Sequence, residues 1–474
     1  MPILADQTRQ DLIFDQLRHG ILSGALRPGS RLPPTRAYAA EMGVARQTVV
    51  LAYERLAAEG YTTARVGAGT FVAADLPDEA PSPRPPSDDA AAALSGRGRR
   101  IAATAATAQP VGAAGLLTPG VPAPELFPAR AWATCSARVL RALDPALTRY
   151  PDPQGLPDLR AEIAAHLAAT RGLVAAAECI VVTAGTQQAL RIAGDLLLDP
   201  GDPAWVEEPG YIAGRGALAA AGATLVPVRS DADGIDVAAG IAAAPQARLA
   251  LVAPSHATPL GGALPVARRL ALLDWAAEAG AWLLEDDCDS EYRWEGKPLP
   301  PLASLDRAGR VIYCGTFSKT LAPALRIGFA VVPRPLVPAF VRARQLMDRG
   351  PNAFDQAVLA DFMAHGLLAP HVRRMRTEFA RRRAALLQAL ARHVPTATAV
   401  AAPGGLHMTL RLPDGSDDRA VASRAASRGL AVAPLSAYFQ GQPYFPGLVM
   451  GFAATPMPLA ADAAKRLAAA IQLA

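Results

Sequence analysis

The chain has 474 residues, 51% of them hydrophobic and 19% charged, enough for a large core and for roughly two to four domains. Its net charge of +5 permits nucleic-acid binding without requiring it, and no apolar run reaches the roughly 18–20 residues of a membrane helix. The N-terminus lacks a secretory-signal pattern, and the cysteines have neither metal-ligand spacing nor the density of a disulfide framework. We therefore expect a cytoplasmic protein without a metal site; the cysteines are Cys135, Cys179, Cys288 and Cys314.

Residues 1–74 form a first block of short helices followed by a hairpin. Ile13, Leu17 and Ile21 recur at helical spacing, and Gly24 ends that segment. The pattern predicts helices over about 7–23, 35–42 and 46–59, then strands near 61–64 and 70–72 joined by a glycine turn at 67–69.

This order of elements is that of a winged helix-turn-helix, whose third helix enters the major groove of DNA. The pattern alone also fits a small helical domain used for protein contact. However, residues 31–72 resemble the GntR-type winged helix over their whole length, with Tyr38 where that family usually has leucine, a packing change. The residues expected to contact bases or the DNA backbone are Arg36, Arg46, Gln47, Thr48, Gly69 and Thr70.

Residues 75–114 are rich in Pro, Ala and Ser and poor in large apolar side chains, which predicts a linker. From residue 115 to residue 474, strand-like and helix-like segments alternate. That alternation is typical of an α/β body with a mostly parallel sheet. The runs that predict its strands are CIVVTAG, PAWVEEP, RLALVAP, AWLLEDD and RVIYCGT.

The chain has only three lysines, so a reaction that needs a lysine amine has few candidates. Lys319 follows a predicted strand in the segment GTFSKTLAPALRIG, after the hydroxyls of Thr316 and Ser318 and ahead of Arg326. An amine there can form a Schiff base with an aldehyde cofactor, and the hydroxyls and the guanidinium can bind its phosphate. Taken alone, the segment equally fits a solvated surface lysine.

Other segments fit the same cofactor. Gly185, Thr186 and Gln187 open a helix after a predicted strand, and free N–H groups at such a start bind phosphate, although ordinary helix capping gives the same pattern. Asp286 can pair with a protonated pyridine nitrogen or belong to a solvated acidic loop. Tyr211 can stack on the cofactor ring or lie in the core. The occurrence of all these segments together favours the cofactor interpretation.

With these motifs, residues 115–474 resemble the fold type I, class I/II aminotransferases, which use pyridoxal 5′-phosphate. The whole chain resembles the MocR/GabR-type bacterial transcription regulators. The resemblance implies a Schiff base on Lys319, a ring-nitrogen contact from Asp286 and stacking by Tyr211. It also implies a smaller C-terminal α+β subdomain over about 350–474. The phosphate is then expected to contact Gly185, Thr186, Gln187, Thr316, Ser318 and Arg326.

The resemblance also implies partners. Regulators of this type form head-to-tail homodimers, in which Tyr150 is expected to reach the phosphate bound by the neighbouring subunit. We expect a double-stranded DNA operator in the bacterial nucleoid and a small amine or amino-acid effector. The protein is thus expected to be multidomain, with a winged helix joined to a PLP-binding body.

Two positions near the expected ring depart from the family pattern. Cys288 stands where the family has a tyrosine that hydrogen-bonds the cofactor's phenolic oxygen, and a thiol is a weaker donor. Cys288 then either packs or acts as a reactive thiol. Thr258 stands where aminotransferases have the asparagine of Asn-Pro-Thr-Gly. His256 matches the regulators, and either helps to bind the cofactor or is structural.

A third departure concerns the effector. Val449 stands where aminotransferases place an arginine that binds the substrate's α-carboxylate, and catalysis depends on such positioning. Arg215 is a candidate substitute. Cofactor binding does not need that arginine, so we expect a sensor of an amine, an amino acid or pyridoxal phosphate itself. The alternative is an active aminotransferase with an accessory DNA-binding domain, which the intact GTFSKTLAPALRIG segment favours.

Overall fold

The computed structural model divides into two compact units, Met1–Ala93 and Leu94–Ala474. Gly67, in the expected hairpin turn, and residues 77–93 of the expected linker lie outside the described residues. Among the described helices, none combines the length and the apolar character of a membrane span. The described residues are 8–65, 68–76, 94–105, 107–108, 115–142, 144–294, 296, 299–400 and 402–472.

The N-terminal unit is the predicted winged helix-turn-helix. Thr8 caps its first helix through a reciprocal capping box with Asp11, and Gly43 ends the second helix in the left-handed conformation at φ 61°. Tyr38 is buried against Tyr53, so the aromatic side chain is accommodated by packing. The elements are α1 (Arg9–Leu22), α2 (Thr35–Met42), α3 (Arg46–Ala58), β1 (Thr62–Arg65) and β2 (Gly69–Val72).

The C-terminal unit is built on an eight-stranded mixed sheet. Its strands are β3 (Ile180–Thr183), β4 (Pro203–Glu208), β5 (Thr224–Asp231), β6 (Gly234–Ile235), β7 (Leu249–Val252), β8 (Trp282–Asp287), β9 (Val311–Thr316) and β10 (Gly328–Val331). Their order is β3-β10-β9-β8-β7-β4-β5-β6. The strands from β9 to β5 are parallel, whereas β10 and β6 pair antiparallel. All the strands predicted from apolar runs lie in this sheet.

Helices pack on the sheet through three apolar clusters. One cluster joins α7, α8 and α12 to the strands, a second joins α9 and α10, and a third joins α5, α6 and α13. The helices are α4 (Gly96–Ala103), α5 (Ala129–Ala142), α6 (Pro157–Arg171), α7 (Thr186–Leu197), α8 (Ile212–Ala221), α9 (Val237–Ala243), α10 (Val266–Ala279), α11 (Leu302–Leu305), α12 (Val337–Asp348) and α13 (Ala353–Ala364).

Helix α4 lies within the segment expected to be a linker. Ser95 caps it through its hydroxyl, and Arg97 lies 3.5 Å from Asp195. The helix contacts α8. Gly216, on α8, has no side chain, and this allows the carbonyl of Ala105 to approach α8 closely. Composition could not predict this helix, because its stabilising contacts come from the cap and from the surface of the body.

A smaller subdomain follows the sheet. Its antiparallel strands have the order β11-β12-β14-β13 and share one apolar core with its three helices. It begins later than the expected residue 350, because α13 packs with α5 and α6 instead. The elements are α14 (Leu368–His393), β11 (Thr398–Ala399), β12 (His407–Arg411), α15 (Asp418–Ala426), β13 (Ala433–Pro434), β14 (Gly447–Gly451) and α16 (Ala460–Ile471).

Two glycines allow close packing of β9, β10 and the start of α7. Gly315 faces the ring of Phe329 on the paired strand β10. A side chain on Gly328 would come within 2.7 Å of the Gly185 Cα. This contact places the end of β9 beside the first residues of α7.

Replacing Gly315 by alanine is expected to lower the thermal unfolding midpoint of the full-length protein. The added Cβ would overlap the Phe329 ring, and overpacking of this kind costs about 1–3 kcal/mol. Gly96→Ala is the control, because the nearest atom to its added Cβ is Arg100 Nη1 at 3.9 Å. Equal midpoints for the two variants would contradict this account of the strand pairing.

Candidate cofactor site and DNA-facing residues

A cavity of about 350 Å³ lies at the carboxyl ends of β3, β4, β8 and β9. Open α/β sheets bind ligands at this edge, and the volume lies in the roughly 300–1,000 Å³ range of small-molecule sites. The smaller subdomain contributes His407, Tyr438 and Val449 to the lining. Of the cofactor residues predicted from the sequence, all but Tyr150 and His256 line this cavity.

The start of α7 forms one end of the cavity. Gly185 occupies its N-cap with φ 97°, a conformation that favours glycine. The Thr186 hydroxyl and the Gln187 Oε1 atom are buried, and neither has a hydrogen-bond partner among the described residues. A helix start with an unpartnered hydroxyl suits an anionic group.

Arg326 lies beside this helix start. Its guanidinium donates a hydrogen bond to the Ala184 carbonyl and lies 3.2 Å from the position of a Cβ on Gly185. The hydroxyls of Thr316 and Ser318 are 3.0 Å apart and line the same cavity. Backbone N–H groups, hydroxyls and one guanidinium are the groups that bind a phosphate.

Lys319 extends its amine into the cavity. Its Nζ atom donates to the Gly120 carbonyl at 2.5 Å, and its own carbonyl accepts a hydrogen bond from the Tyr292 hydroxyl at 3.2 Å. The segment that carries Gly120 is tied to the smaller subdomain, because Gly451 N–H donates to the Leu117 carbonyl at 2.8 Å. The amine is therefore held by a neutral acceptor between the two parts of the body.

Three successive acidic residues end β8, and two of them bond to other parts of the body, although the Asp287 Oδ1 atom has no partner among the described residues. Glu285 accepts two backbone N–H groups at 2.9 Å each. Asp287 forms a buried ion pair with Arg171 at 2.9 Å and accepts the Tyr313 hydroxyl at 2.5 Å. These contacts fix the end of the strand and orient the residue between them, Asp286.

Asp286 is buried, and its Oδ1 atom has no hydrogen-bond partner in the described parts of the chain. Burial, together with the nearby charges of Asp287 and Asp289, raises the pKa of Asp286 to about 7, and Lys319 partly opposes this increase. An unpartnered carboxyl group with such a pKa fits a protonated ring nitrogen, which would supply both a charge and a donor.

Tyr211 and Cys288 line the cavity near Asp286. Tyr211 is the N-cap of α8, and burial raises the pKa of its hydroxyl, so the ring is neutral and available for stacking. Burial and the neighbouring acids also raise the pKa of the Cys288 thiol well above its usual value. A thiol with a raised pKa is a poor nucleophile, which favours the packing interpretation of Cys288.

His256 does not line the cavity, so its role in cofactor binding stays a prediction beside its structural interpretation. Gly261 and Gly405 pack against its ring. Its Nδ1 atom lies 3.1 Å from Asp289 Oδ2, and its ring centroid is 4.8 Å from that of His407. His256 therefore positions Asp289, which does line the cavity.

Asp289 and His407 are site residues that the sequence did not indicate. The ligand atoms of His256, Asp289 and His407 lie within 4.8 Å of one another. The sequence signal for Asp289 as a site residue was weak and consisted only of its position three residues beyond Asp286 in EDDCDSE. His407 had none, because only the fold of the smaller subdomain brings it to the cavity.

Arg215 is not the substitute carboxylate clamp that the sequence offered. It is buried and donates to the Tyr438 carbonyl at 2.6 Å, with Glu208 at 3.5 Å. It does not line the cavity, although Val449 does. Tyr150 is also outside the cavity and is 77% exposed, so its contact with a neighbouring subunit stays a prediction.

In the N-terminal unit, the predicted DNA contacts lie on the surface. Arg36, Arg46 and Gln47 are exposed and Thr48 is half-buried. Arg46 donates to the Thr35 hydroxyl at 3.4 Å, which joins the starts of α2 and α3.

The hairpin tip is also accessible. Gly69 is exposed at φ 110°, Thr70 is half-buried, and the Arg31 guanidinium packs against Gly69. This places a positive charge at the tip, where a backbone phosphate can be contacted.

Known proteins resemble both units. Residues 9–72 match the family of bacterial regulatory proteins called gntR, and residues 123–438 match aminotransferase class I and II. The chain is 39% identical over 95% of its length, and 91% of the relative's, to the probable rhizopine catabolism regulatory protein MocR of Rhizobium meliloti. It is 35% identical over 91% of its length, and 89% of the relative's, to the HTH-type transcriptional regulator TauR of Rhodobacter capsulatus.

Solved structures resemble the body. The α-aminoadipate aminotransferase LysN of Thermus thermophilus, complexed with N-(5'-phosphopyridoxyl)-L-leucine, superposes with a TM-score of 0.74 and 28% identity, covering 80% of this chain and 97% of that one. The kynurenine aminotransferase of Pyrococcus horikoshii, in complex with PMP, gives a TM-score of 0.71 and 28% identity, covering 77% and 92%. The share of this chain that is covered in each case fits the C-terminal unit.

The pKa of Asp286 predicts a pH dependence of folding stability. The group titrates at about 7 in the folded, cofactor-free protein and at 3.8 in an ordinary environment. Its contribution to stability is therefore present at low pH and is lost as the pH rises through about 7. The side chain of the Asp286→Asn variant cannot ionise. The free energy of unfolding of this variant minus that of the wild type should therefore be larger at about pH 8 than at about pH 5, by on the order of 1–4 kcal/mol.

Thermal unfolding midpoints of the cofactor-free proteins at the two pH values measure this difference. Asp274→Asn, which removes an exposed carboxylate from α10, is the control and should follow the wild type. If the unfolding midpoints of wild type and Asp286→Asn changed with pH by the same amount, this would contradict the raised pKa of Asp286.

Proposed function

Because the chain belongs to the family of GntR-type regulators with an aminotransferase class I and II body, we propose that it is a DNA-binding transcription regulator that senses an amine through pyridoxal 5′-phosphate. The winged helix binds the operator, and the body holds the cofactor on Lys319. The observation that carries the proposal is the buried Asp286 carboxyl group, whose Oδ1 atom has no partner among the described residues, in a cavity that also contains the Lys319 amine.

The residues present fit this cofactor. Asp286 would contact the ring nitrogen, Tyr211 the ring face, and Arg326 with the start of α7 the phosphate. When bound, pyridoxal phosphate supplies an aldehyde carbon that reacts with primary amines. Lys319, held at the Gly120 carbonyl, is the amine of this chain that can reach that carbon from the cavity wall.

The segment that precedes the body supports coupling between ligand and DNA binding. Thr107 and Ala108 line the cavity, and they belong to the chain that leads from the winged helix into the body. An occupant of the cavity therefore contacts this segment. For regulation, the effector must bind one arrangement of the regulator better than the other.

A head-to-tail homodimer is part of the proposal. Tyr150 is 77% exposed and lies outside this chain's own cavity, which suits a contact with the phosphate in a neighbouring subunit. A twofold dimer would also present two winged helices to a palindromic operator.

An efficient aminotransferase is the less supported alternative. Its main support is the complete lysine segment, which lines the cavity. Against it, Val449 occupies the position of the carboxylate-binding arginine, and Arg215 is engaged by Glu208 and the Tyr438 carbonyl. Aminotransferase catalysis depends on the positioning of the substrate, so the loss of the carboxylate-binding arginine is expected to reduce its rate.

Lys319→Ala tests the coupling of cofactor and DNA. For the wild type, adding pyridoxal phosphate should change operator affinity by about fivefold or more, or change the footprint, and should produce a visible absorption band that borohydride removes. Lys319→Ala should lose the band and the change. Lys465→Ala, an exposed lysine on α16, is the control and should behave as the wild type. Identical DNA binding by wild type and Lys319→Ala, with and without the cofactor, would overturn the coupling.

Arg46→Ala tests the DNA-binding surface. Removing one phosphate-contacting charge should weaken operator binding by about tenfold and reduce the slope of log affinity against log salt by about 1. Arg141→Ala removes an exposed arginine from α5 in the body and should leave both quantities unchanged. If both variants lost the same operator affinity, this would show that the net charge of the protein, and not the surface of α3, determines DNA binding.

A further inference from the structure

The charges of the cavity restrict the effector more than its shape does. Among the described residues, the charged side chains in its lining are Asp286, Asp289, Lys319 and Arg326. The proposed cofactor accounts for three of them: the nitrogen pairs with Asp286, the aldehyde with Lys319 and the phosphate with Arg326. The proposed cofactor does not use Asp289, which is paired with His256 outside the lining.

Asp289 is kept ionised by its neighbours. Burial alone would raise its pKa, but the charge and hydrogen bond of His256 outweigh burial and lower the pKa of Asp289 to about 2. His256 lies outside the cavity lining, with its Nδ1 at 3.1 Å from the carboxylate. The cavity lining therefore carries an ionised carboxylate that can accept hydrogen bonds from a ligand.

His407 adds an uncharged polar group beside Asp289. Burial and the proximity of His256 lower the pKa of His407 to about 3, so its ring is neutral. Its Nε2 atom is buried and has no hydrogen-bond partner within the described ranges. A ligand that reaches Asp289 can thus also hydrogen-bond to His407.

Val449 is the apolar part of the same wall. It lies on β14, where it pairs with Thr409 of β12. Two residues further along β14, Gly451 pairs with His407. Its side chain is buried and lines the cavity. A carboxylate placed against Val449 would lose water without gaining a cation from the described lining beyond those that the proposed cofactor uses, an unfavourable effect in a buried site.

Resting on the proposed function, we propose that the effector is a primary amine without an α-carboxylate, with a second hydrogen-bond donor, ammonium or hydroxyl, that binds Asp289 and His407. The primary amine is directed to the cofactor beside Lys319. The second donor satisfies the Asp289 carboxylate, and the carbon at which an amino acid carries its carboxylate packs on Val449. Amino acids are disfavoured because the described lining offers their carboxylate no cation beyond Lys319 and Arg326, which the proposed cofactor uses.

Matched pairs of ligands test this proposal by calorimetry on the full-length protein loaded with pyridoxal phosphate. The pairs are putrescine with L-ornithine and ethanolamine with L-serine, which differ in each case by one α-carboxylate. Each amine should bind about tenfold or more tightly than its amino acid, a difference of about 1.4 kcal/mol. Amino acids that bind as tightly as the amines, or no binding by any of the four, would overturn the proposal.

Two variants locate the preference. Asp289→Asn should weaken putrescine binding about tenfold with little effect on L-ornithine, whereas Asp274→Asn should change neither. Val449→Arg should strengthen L-ornithine relative to putrescine, because it supplies a guanidinium for the carboxylate. If Asp289→Asn keeps the visible band of the bound cofactor and the full putrescine affinity, Asp289 is not the recognition group and the proposal is overturned.

These results separate the effector class from the proposed function. Wild-type protein that takes up the cofactor and binds DNA but prefers amino acids would overturn only the effector class. Wild-type protein that takes up no cofactor, or whose DNA binding ignores it, would overturn the proposed function itself.

Discussion

A buried carboxyl group without a partner is costly, by several kcal/mol when ionised, and the site is arranged around one such group. At the end of β8 the protein satisfies Glu285 with backbone N–H groups and Asp287 with Arg171 and Tyr313. Among the described residues, the Asp286 Oδ1 atom has no hydrogen-bond partner, and neither does the Asp287 Oδ1 atom, whose carboxylate is paired through Oδ2. The contacts of Glu285 and Asp287 fix the end of the strand that carries Asp286, and in the proposed function Asp286 stabilises a cationic ring nitrogen.

The other parts of the body complete the environment of that group. The parallel strands bring the start of α7 and the lysine segment to the same edge of the sheet. The smaller subdomain closes the cavity with His407 and Val449, and it is tied through Leu117 to the segment that holds the Lys319 amine. His256, outside the lining, keeps Asp289 ionised, and the described lining supplies no cation beyond Lys319 and Arg326. In the proposed function, the body thus holds a cofactor with these groups, while its effector end differs from that of an aminotransferase.

Much of the fold and of the cofactor site could be predicted from the sequence, because local signals and short motifs determine them. The helices of the N-terminal unit follow from apolar spacing and Gly43, the sheet from its apolar runs, and Lys319 from its neighbouring hydroxyls. Side-chain direction could not be predicted. Arg215 and His256 lie near the site in sequence but do not line the cavity, since Arg215 donates to the Tyr438 carbonyl and His256 lies against Asp289. Packing across the fold, and not chain order, decides where a side chain points.

The pairing of Asp286 with a protonated ring nitrogen is the central claim. Its most direct test is the NMR chemical shift of the ring nitrogen in isotope-labelled pyridoxal phosphate bound to the full-length protein. We predict the shift of a protonated pyridine in the wild type and that of a neutral pyridine in Asp286→Asn. The same shift in both proteins, or a neutral ring in the wild type, would contradict the account.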